Sequence, residues 1–224
     1  MQTWRRLQKQ EFQRVSNESV TAVANTTIID LLRHGDVEGG RKYRGQLDDP
    51  LSQLGWEQLR LATNKKQNWH QIITSPLQRC SKFSSELAQT HSLPLHTKSN
   101  LKEVSFGLWE GKTADQLLEE EPEKIKKYWN DPINTTPPQG ENLLNFEKRI
   151  MDIWGKMLSE FQGQHILVIS HAGVMRIILC HILGIPLTEL FKLDVGLAKA
   201  SRIQIDHIDG KSWPRLIFHG SDFV

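Results

Sequence analysis

Residues His165–Ser170 (HILVIS) make an unbroken, largely apolar run with β-branched residues at its centre. Such a run lacks the alternation of a half-exposed strand and suits a strand buried on both faces, as parallel sheets require. Directly after it, Val174–Leu183 reads as a helix that ends at Gly184 and Pro186. The same strand-then-helix order recurs upstream. Thr26–Leu32 is β-branched and apolar, and Ser52–Lys66 is a helix capped by Ser52 after the breaker Pro50. Gln71–Thr74 is a second short strand, and Pro76–Gln89 a helix opened by proline in its first turn. Thr113-Ala-Asp-Gln116 has the form of a capping box, and Pro122–Trp129 starts another helix. Asp131–Gly140 (DPINTTPPQG) is loop chemistry, whereas Leu143, Phe146, Ile150, Ile153, Met157 and Phe161 fall at helical spacing. Arg202–Ile205 and Leu216–Phe218 close the chain as sheet-edge strands. Strand–helix alternation of this kind predicts an α/β fold: three α/β/α layers around a mostly parallel central sheet.

Composition sets the class of partner. The 224 residues, 38% hydrophobic and 24% charged, can bury one good-sized core. A net charge of +2, from 28 basic and 26 acidic residues, is too balanced for a chain whose main partner is nucleic acid. No run approaches the ~18 to 20 apolar residues of a membrane span, so a membrane partner is not expected either. Cys80 and Cys180 have no metal-binding or disulfide spacing, which points to a reducing, cytoplasmic setting. Residues 1–26 stand apart as an amino-terminal extension: basic, glutamine-rich, with a loose stripe of Trp4, Leu7, Phe12 and Val15. Residues 27–224 are read as the catalytic domain.

In parallel sheets ligands bind beyond the carboxyl ends of the strands. Of nine histidines, two pass that filter: His34, directly after the first strand, and His171, directly after His165–Ser170. Each is followed within two residues by a chain-turning glycine. Arg33 precedes His34, and Arg79 lies one turn into the helix after the second strand. Two guanidinium forks, two imidazoles and helix N-termini concentrate positive charge, which suits a phosphate. No His-x-x-x-His, Cys cluster or HExxH is present, and adjacent arginines repel a divalent cation, so neither metal nor cofactor is expected.

Four segments carry a resemblance: Leu31-Leu-Arg-His-Gly-Asp36, Thr74-Ser-Pro-Leu-Gln-Arg-Cys80, Leu101-Lys-Glu-Val-Ser-Phe-Gly-Leu-Trp-Glu-Gly111 and Ser170-His-Ala-Gly-Val-Met-Arg176. In order and spacing, over roughly residues 27–190, they resemble the histidine phosphatase (phosphoglycerate mutase-like) superfamily. Glu38-Gly-Gly40, Tyr43-Arg-Gly45 and Asp48-Asp-Pro-Leu51 look like the first loop of its α-ribazole-5′-phosphate phosphatase subgroup, which serves cobalamin biosynthesis. The resemblance implies a phosphoglycerate mutase-like fold and a metal-independent phosphomonoesterase with a small-molecule substrate. It makes His34 the nucleophile and Glu103 the proton donor, with Glu110 the rival acid. Arg33, Arg79, His171 and the Ala172 N–H would hold the phosphate, and Tyr43 and Arg44 would touch ribose or base.

Two departures qualify the match. Asp36 replaces the family's usual glutamate, and the asparagine that helps hold phosphate in the mutases is absent from Val37-Glu-Gly-Gly40. The expected substrate is α-ribazole 5′-phosphate or adenosylcobalamin 5′-phosphate. Alternatives on the same fold are a phosphatase for a sugar phosphate or nucleotide, a phosphoglycerate mutase, and a binding protein without turnover.

Overall fold

The structure, a computed structural model, describes residues 25–65 and 67–223. Residues 1–24 of the amino-terminal extension, with its apolar stripe, and Lys66 lie outside them. The strands are β1 (Asn25–Arg33), β2 (Gln71–Thr74), β3 (Leu95–Thr97), β4 (His165–Ser170), β5 (Ala200–Ile208) and β6 (Lys211–Ser221). The helices are α1 (Gln53–Ala62), α2 (Gln78–His91), α3 (Ala114–Glu120), α4 (Pro122–Asn130), α5 (Leu143–Glu160) and α6 (Ala172–Leu183). Strand order is β3-β2-β4-β1-β5-β6. β3, β2, β4 and β1 run parallel, while β5 and β6 join antiparallel to complete the sheet. The mostly parallel α/β sheet read from the sequence is therefore the observed one.

Alternation along the central strands feeds two cores. Ile29, Leu31, Ile166 and Val168 face α5 and α6, whereas Leu32, Leu167 and Ile169 face α1 and α2. Burial on both faces is why β4 reads as one apolar run.

Some boundaries moved. Helix α1 ends at Ala62 rather than near Lys66, although Ser52 caps it as expected, accepting from the Gly55 N–H. Helix α2 begins at Gln78, so Pro76 stands in the loop ahead of it and not in its first turn. Helix α6 begins at Ala172, two residues early, because His171 itself is the N-cap. No sequence pattern announces β3, a three-residue strand that exists only through its ladder with β2. The last two strands are longer than read; they form a hairpin turned by Asp209 and Gly210, both at positive φ (49° and 73°), the geometry that suits strand twist.

Asp30, fully buried in β1, anchors the end of the sheet away from the strand tips. Its Oδ1 accepts from Arg202 Nε (2.7 Å), and its Oδ2 from Arg202 Nη2 (2.9 Å), Trp69 Nε1 (2.7 Å) and His165 Nε2 (2.8 Å). Burial works to raise this carboxyl, but the bonds from Arg202 and His165 outweigh it and hold it below the usual carboxylate range. A lowered folded value contributes stability that is present above the unfolded value of about 3.9 and is lost as pH falls through the folded one. Asp30→Ala leaves Trp69 without its acceptor and Arg202 without its carboxylate partner. It is expected to cost about 3 to 5 kcal/mol in urea unfolding, the usual effect of breaking a buried pair. A loss under 1 kcal/mol would show the network to be dispensable.

Candidate active site

Because β2, β4 and β1 are parallel neighbours, their carboxyl ends share one edge of the sheet. The register pairs Arg33 with Ser170 and Thr74 with Ile169, which brings the next residues, His34, His171 and Ser75, together. The His34 and His171 rings stand 5.3 Å apart, edge to face at 61°. With His34, His171 and Arg79 at 6%, 0% and 1% exposure, the cluster is almost wholly desolvated.

His34 Nδ1 lies 2.8 Å from the Gly35 carbonyl. A carbonyl only accepts, so Nδ1 carries the hydrogen and Nε2 keeps its lone pair. Burial, then the charges of Arg79 and Arg33, hold His34 well below the usual imidazole value, so the ring is neutral. His171 has the opposite tautomer. Its Nδ1 accepts from Arg79 Nε (3.2 Å), which leaves Nε2–H to face Ser75 Oγ at 2.7 Å. Burial and Arg79 depress its basicity too. Cys80 lies against His171, with Sγ 3.7 Å from Nε2, but burial pushes the thiol up and away from nucleophilic use.

Arg79 Nη1 and Nη2 donate to the carbonyls of Leu47 (2.9 Å) and Gly45 (2.7 Å). Gly45 has φ +51°, and a Cβ there would collide with Glu110 and with the backbone of Val104 and Phe106, so the loop presenting this carbonyl requires glycine. Arg33 Nη1 donates to Val195 O at 2.5 Å, while its Nε is buried without a partner among the described residues. Burial lowers the basicity of both arginines. Among the described residues neither pairs with a carboxylate, in contrast to Arg149, which pairs with Glu141 at 2.7 Å. Buried cations left unpaired are costly. A phosphate between them removes that cost.

Glu103 reaches the same place from the other side. Its Oε1 accepts from the Val104 N–H (3.0 Å) and its Oε2 from the Gly173 N–H (3.1 Å), in the first turn of α6. The Ala172 N–H is the first of that helix and has no intrahelical acceptor. The 100–103 segment is held by Arg149, whose five N–H groups are all used: two on Glu141 and three on the carbonyls of Asn100, Lys102 and Glu103. Glu110 is occupied differently. Its Oε1 accepts from the Gln46 N–H (2.9 Å), the Phe106 N–H (3.0 Å) and Ser105 Oγ (3.3 Å), pinning two loops together. A carboxylate committed to clamping two loops, and not placed against α6 as Glu103 is, is disfavoured as the rival acid. Asp36 is likewise a staple, accepting from Ser52 Oγ at 2.6 Å, where the cap of α1 meets the His34 loop.

The structure thus brings His34, Arg33, Arg79, His171, Ala172 and Glu103 together. Tyr43 and Arg44 bond outside this cluster, although the Arg44 charge is among those acting on His34 and Arg79. Tyr43 Oη accepts from Trp129 Nε1 (2.7 Å) with its ring against Phe106, and Arg44 braces its own loop through Asp49 (2.9 Å), Glu38 O (2.7 Å) and Gly40 O (2.6 Å). Sequence reasoning missed Ser75, which lay unassigned inside the Thr74–Cys80 motif, and the Arg149–Glu141 clamp, which no spacing announces. Among the described residues no three His, Cys, Asp or Glu side chains converge as a metal site would need.

The comparisons with known proteins agree with this geometry. The first curated relatives are mycobacterial proteins 29% identical over 196 residues, and the chain spans about half their length (53%). The adenosylcobalamin/alpha-ribazole phosphatase of Escherichia coli is 29% identical over 180 residues, 74% of this chain and 85% of that protein. Phosphoserine phosphatase 1 of Hydrogenobacter thermophilus is 26% identical over 180 residues, covering 79% and 85%. The solved alpha-ribazole phosphatase of Shigella flexneri superposes with a TM-score of 0.75 at 25% identity, over 88% of this chain and 98% of that one. The family pattern described as "Histidine phosphatase superfamily (branch 1)" matches residues 29–213, a span that holds the carboxyl ends of β1, β2 and β4, and the chain belongs to that superfamily.

Proposed function

We propose that the protein is a phosphomonoesterase that works through a phosphohistidine at His34. The carrying observation is the buried, neutral His34, its Nε2 lone pair free, beside Arg33 and Arg79 that lack any carboxylate partner among the described residues. Unaided phosphate monoester hydrolysis is among the slowest of reactions, so positioning and charge must supply most of the acceleration. Arg33, Arg79, His171 and the Ala172 N–H surround the phosphoryl oxygens. His34 Nε2 attacks phosphorus in line, and the bond to the ester oxygen breaks as that oxygen takes a proton from Glu103. Glu103 then accepts a proton from water, whose oxygen displaces His34 and releases inorganic phosphate.

For the alcohol, α-ribazole 5′-phosphate or the 5′-phosphate of adenosylcobalamin is our substrate. The E. coli relative and the Glu38–Gly45 loop support it. Tyr43 and Arg44, at the base of that loop, are the proposed contacts to ribose or base, and Arg44 makes such a contact by exchanging one of its loop bonds. Purified protein is expected to turn over α-ribazole 5′-phosphate with a higher kcat/KM than phosphoserine, 3-phosphoglycerate or simple sugar phosphates. A tenfold win for any of these, about 1.4 kcal/mol of transition-state binding, overturns the substrate.

The same assay checks the role of metal. Positive charge at the phosphate position comes from guanidinium groups, so excess EDTA is expected to change the rate by less than about twofold. A lost Lewis acid would cost several kcal/mol. A collapse restored by magnesium or zinc refutes the metal-free scheme.

A further inference from the structure

Arg176 is a guanidinium near the site that the proposed chemistry leaves unused. It lies on α6 four residues after Ala172, so both share one helix face, and Arg176 stands a turn, about 5.4 Å, beyond the N-terminus that meets the phosphate. Its Nε donates to the Leu193 carbonyl at 2.8 Å, and Arg33 Nη1 donates to the Val195 carbonyl at 2.5 Å. Leu193 and Val195 lie two residues apart in the segment that follows Lys192, so both arginines reach the same loop. The two guanidinium groups are therefore tied to the same short stretch of backbone, through carbonyls two residues apart. After burial, the charges that lower the basicity of Arg33 include that of Arg176.

Like charges set next to each other need a reason. Arg176 has no carboxylate within ion-pairing distance among the described residues, and its Nη1 and Nη2 have no hydrogen-bond partner among them. Its stem is held, with the guanidinium carbon 5.8 Å from the centre of the Phe191 ring, and Tyr128 of α4 meets that ring edge-on at 6.4 Å. Burial raises the Tyr128 phenol, so it remains a hydrogen-bond donor. Two open nitrogens on a held stem thus stand one turn from the helix N-terminus proposed to meet the phosphate.

We propose that Arg176, with Tyr128 opposite, is a specificity-determining residue that donates to oxygen acceptors on the alcohol portion, either sugar hydroxyls or a carboxylate. The proposal rests on the phosphomonoesterase reading. Arg176→Met keeps an unbranched stem against Phe191 and removes the donors. Three esters separate the effects: phenyl phosphate, which has no acceptor on its alcohol beyond the ester oxygen; ribose 5-phosphate; and 3-phosphoglycerate. The expected result is phenyl phosphate unchanged within about twofold, and a loss of about 10- to 100-fold in kcat/KM for at least one of the others, the usual worth of charged hydrogen bonds. Arg176→Lys should recover part of it.

The ester that loses more identifies the acceptor as hydroxyl or carboxylate. An equal loss on phenyl phosphate would place Arg176 in the phosphate cluster and overturn the proposal, as would no loss on any ester. If the unaltered protein fails to hydrolyse phenyl phosphate, the phosphatase reading falls. Calorimetry then still decides about Arg176: its replacement must weaken ribose 5-phosphate or 3-phosphoglycerate more than inorganic phosphate, and equal weakening or none overturns it.

Discussion

His34→Ala is expected to abolish turnover, with a loss of at least about 10⁴-fold on every ester, since no neighbouring group can replace it. His171 Nδ1 is engaged by Arg79, and the Cys80 thiol is pushed up by burial. His171→Ala, which removes a phosphate-binding group and not the nucleophile, should leave a trace of activity. Rapid quench with radiolabelled ester should trap an acid-labile, base-stable adduct in the unaltered protein and none in the His34 variant. A phosphoserine-type adduct, stable to acid, would move the nucleophile elsewhere, with Ser75 the first suspect. The pH profile offers an independent check. The competent form of His34 is neutral, and its basicity is depressed by burial and by two arginines. The nucleophile is therefore lost on acidification only below the ordinary imidazole value of about 6.5. The acid limb of kcat/KM, corrected for the second ionisation of the ester, should reflect that.

Glu103→Gln should cripple esters with alkoxide leaving groups by about 10²- to 10⁴-fold, the usual worth of a positioned acid. Aryl phosphates, whose phenolate departs unaided, should lose far less in the burst that reports phosphoryl transfer to His34. Glutamine preserves the size of the side chain and can still accept from the Val104 or Gly173 N–H, so the 103–105 segment should keep its shape. Equal losses on both kinds of ester would remove the acid role from Glu103. Glu110→Gln, in contrast, should weaken alkyl and aryl esters alike, because it loosens the Gln46 and Phe106 bonds without touching proton transfer.

Local chemistry made the central sheet and the strand-end residues legible. A two-face-buried strand must be apolar throughout, a helix start wants Ser52 or Thr113, and a histidine directly after a strand lies at the binding edge of a parallel sheet wherever that strand is placed. Thr113 indeed forms its capping box with Gln116. The sequence therefore sufficed for the parallel core, for His34 and His171, and for Arg33 beside them. It could not reveal β3, whose three residues become a strand only by pairing with β2, nor the early start of α6 at Ala172, capped by His171. Arg149 looked like any polar residue on the long helix, yet it gathers three carbonyls from a segment 46 to 49 residues away. Glu103 and Glu110 are the same residue type only seven positions apart; what separates them is that one bonds to the first turn of α6 while the other pins two loops through its Oε1. Tautomers, unpaired guanidinium groups and the tethering of Arg33 and Arg176 to one loop depend on which carbonyl each nitrogen meets. Those carbonyls come from remote loops, and only the folded chain brings them within hydrogen-bonding distance.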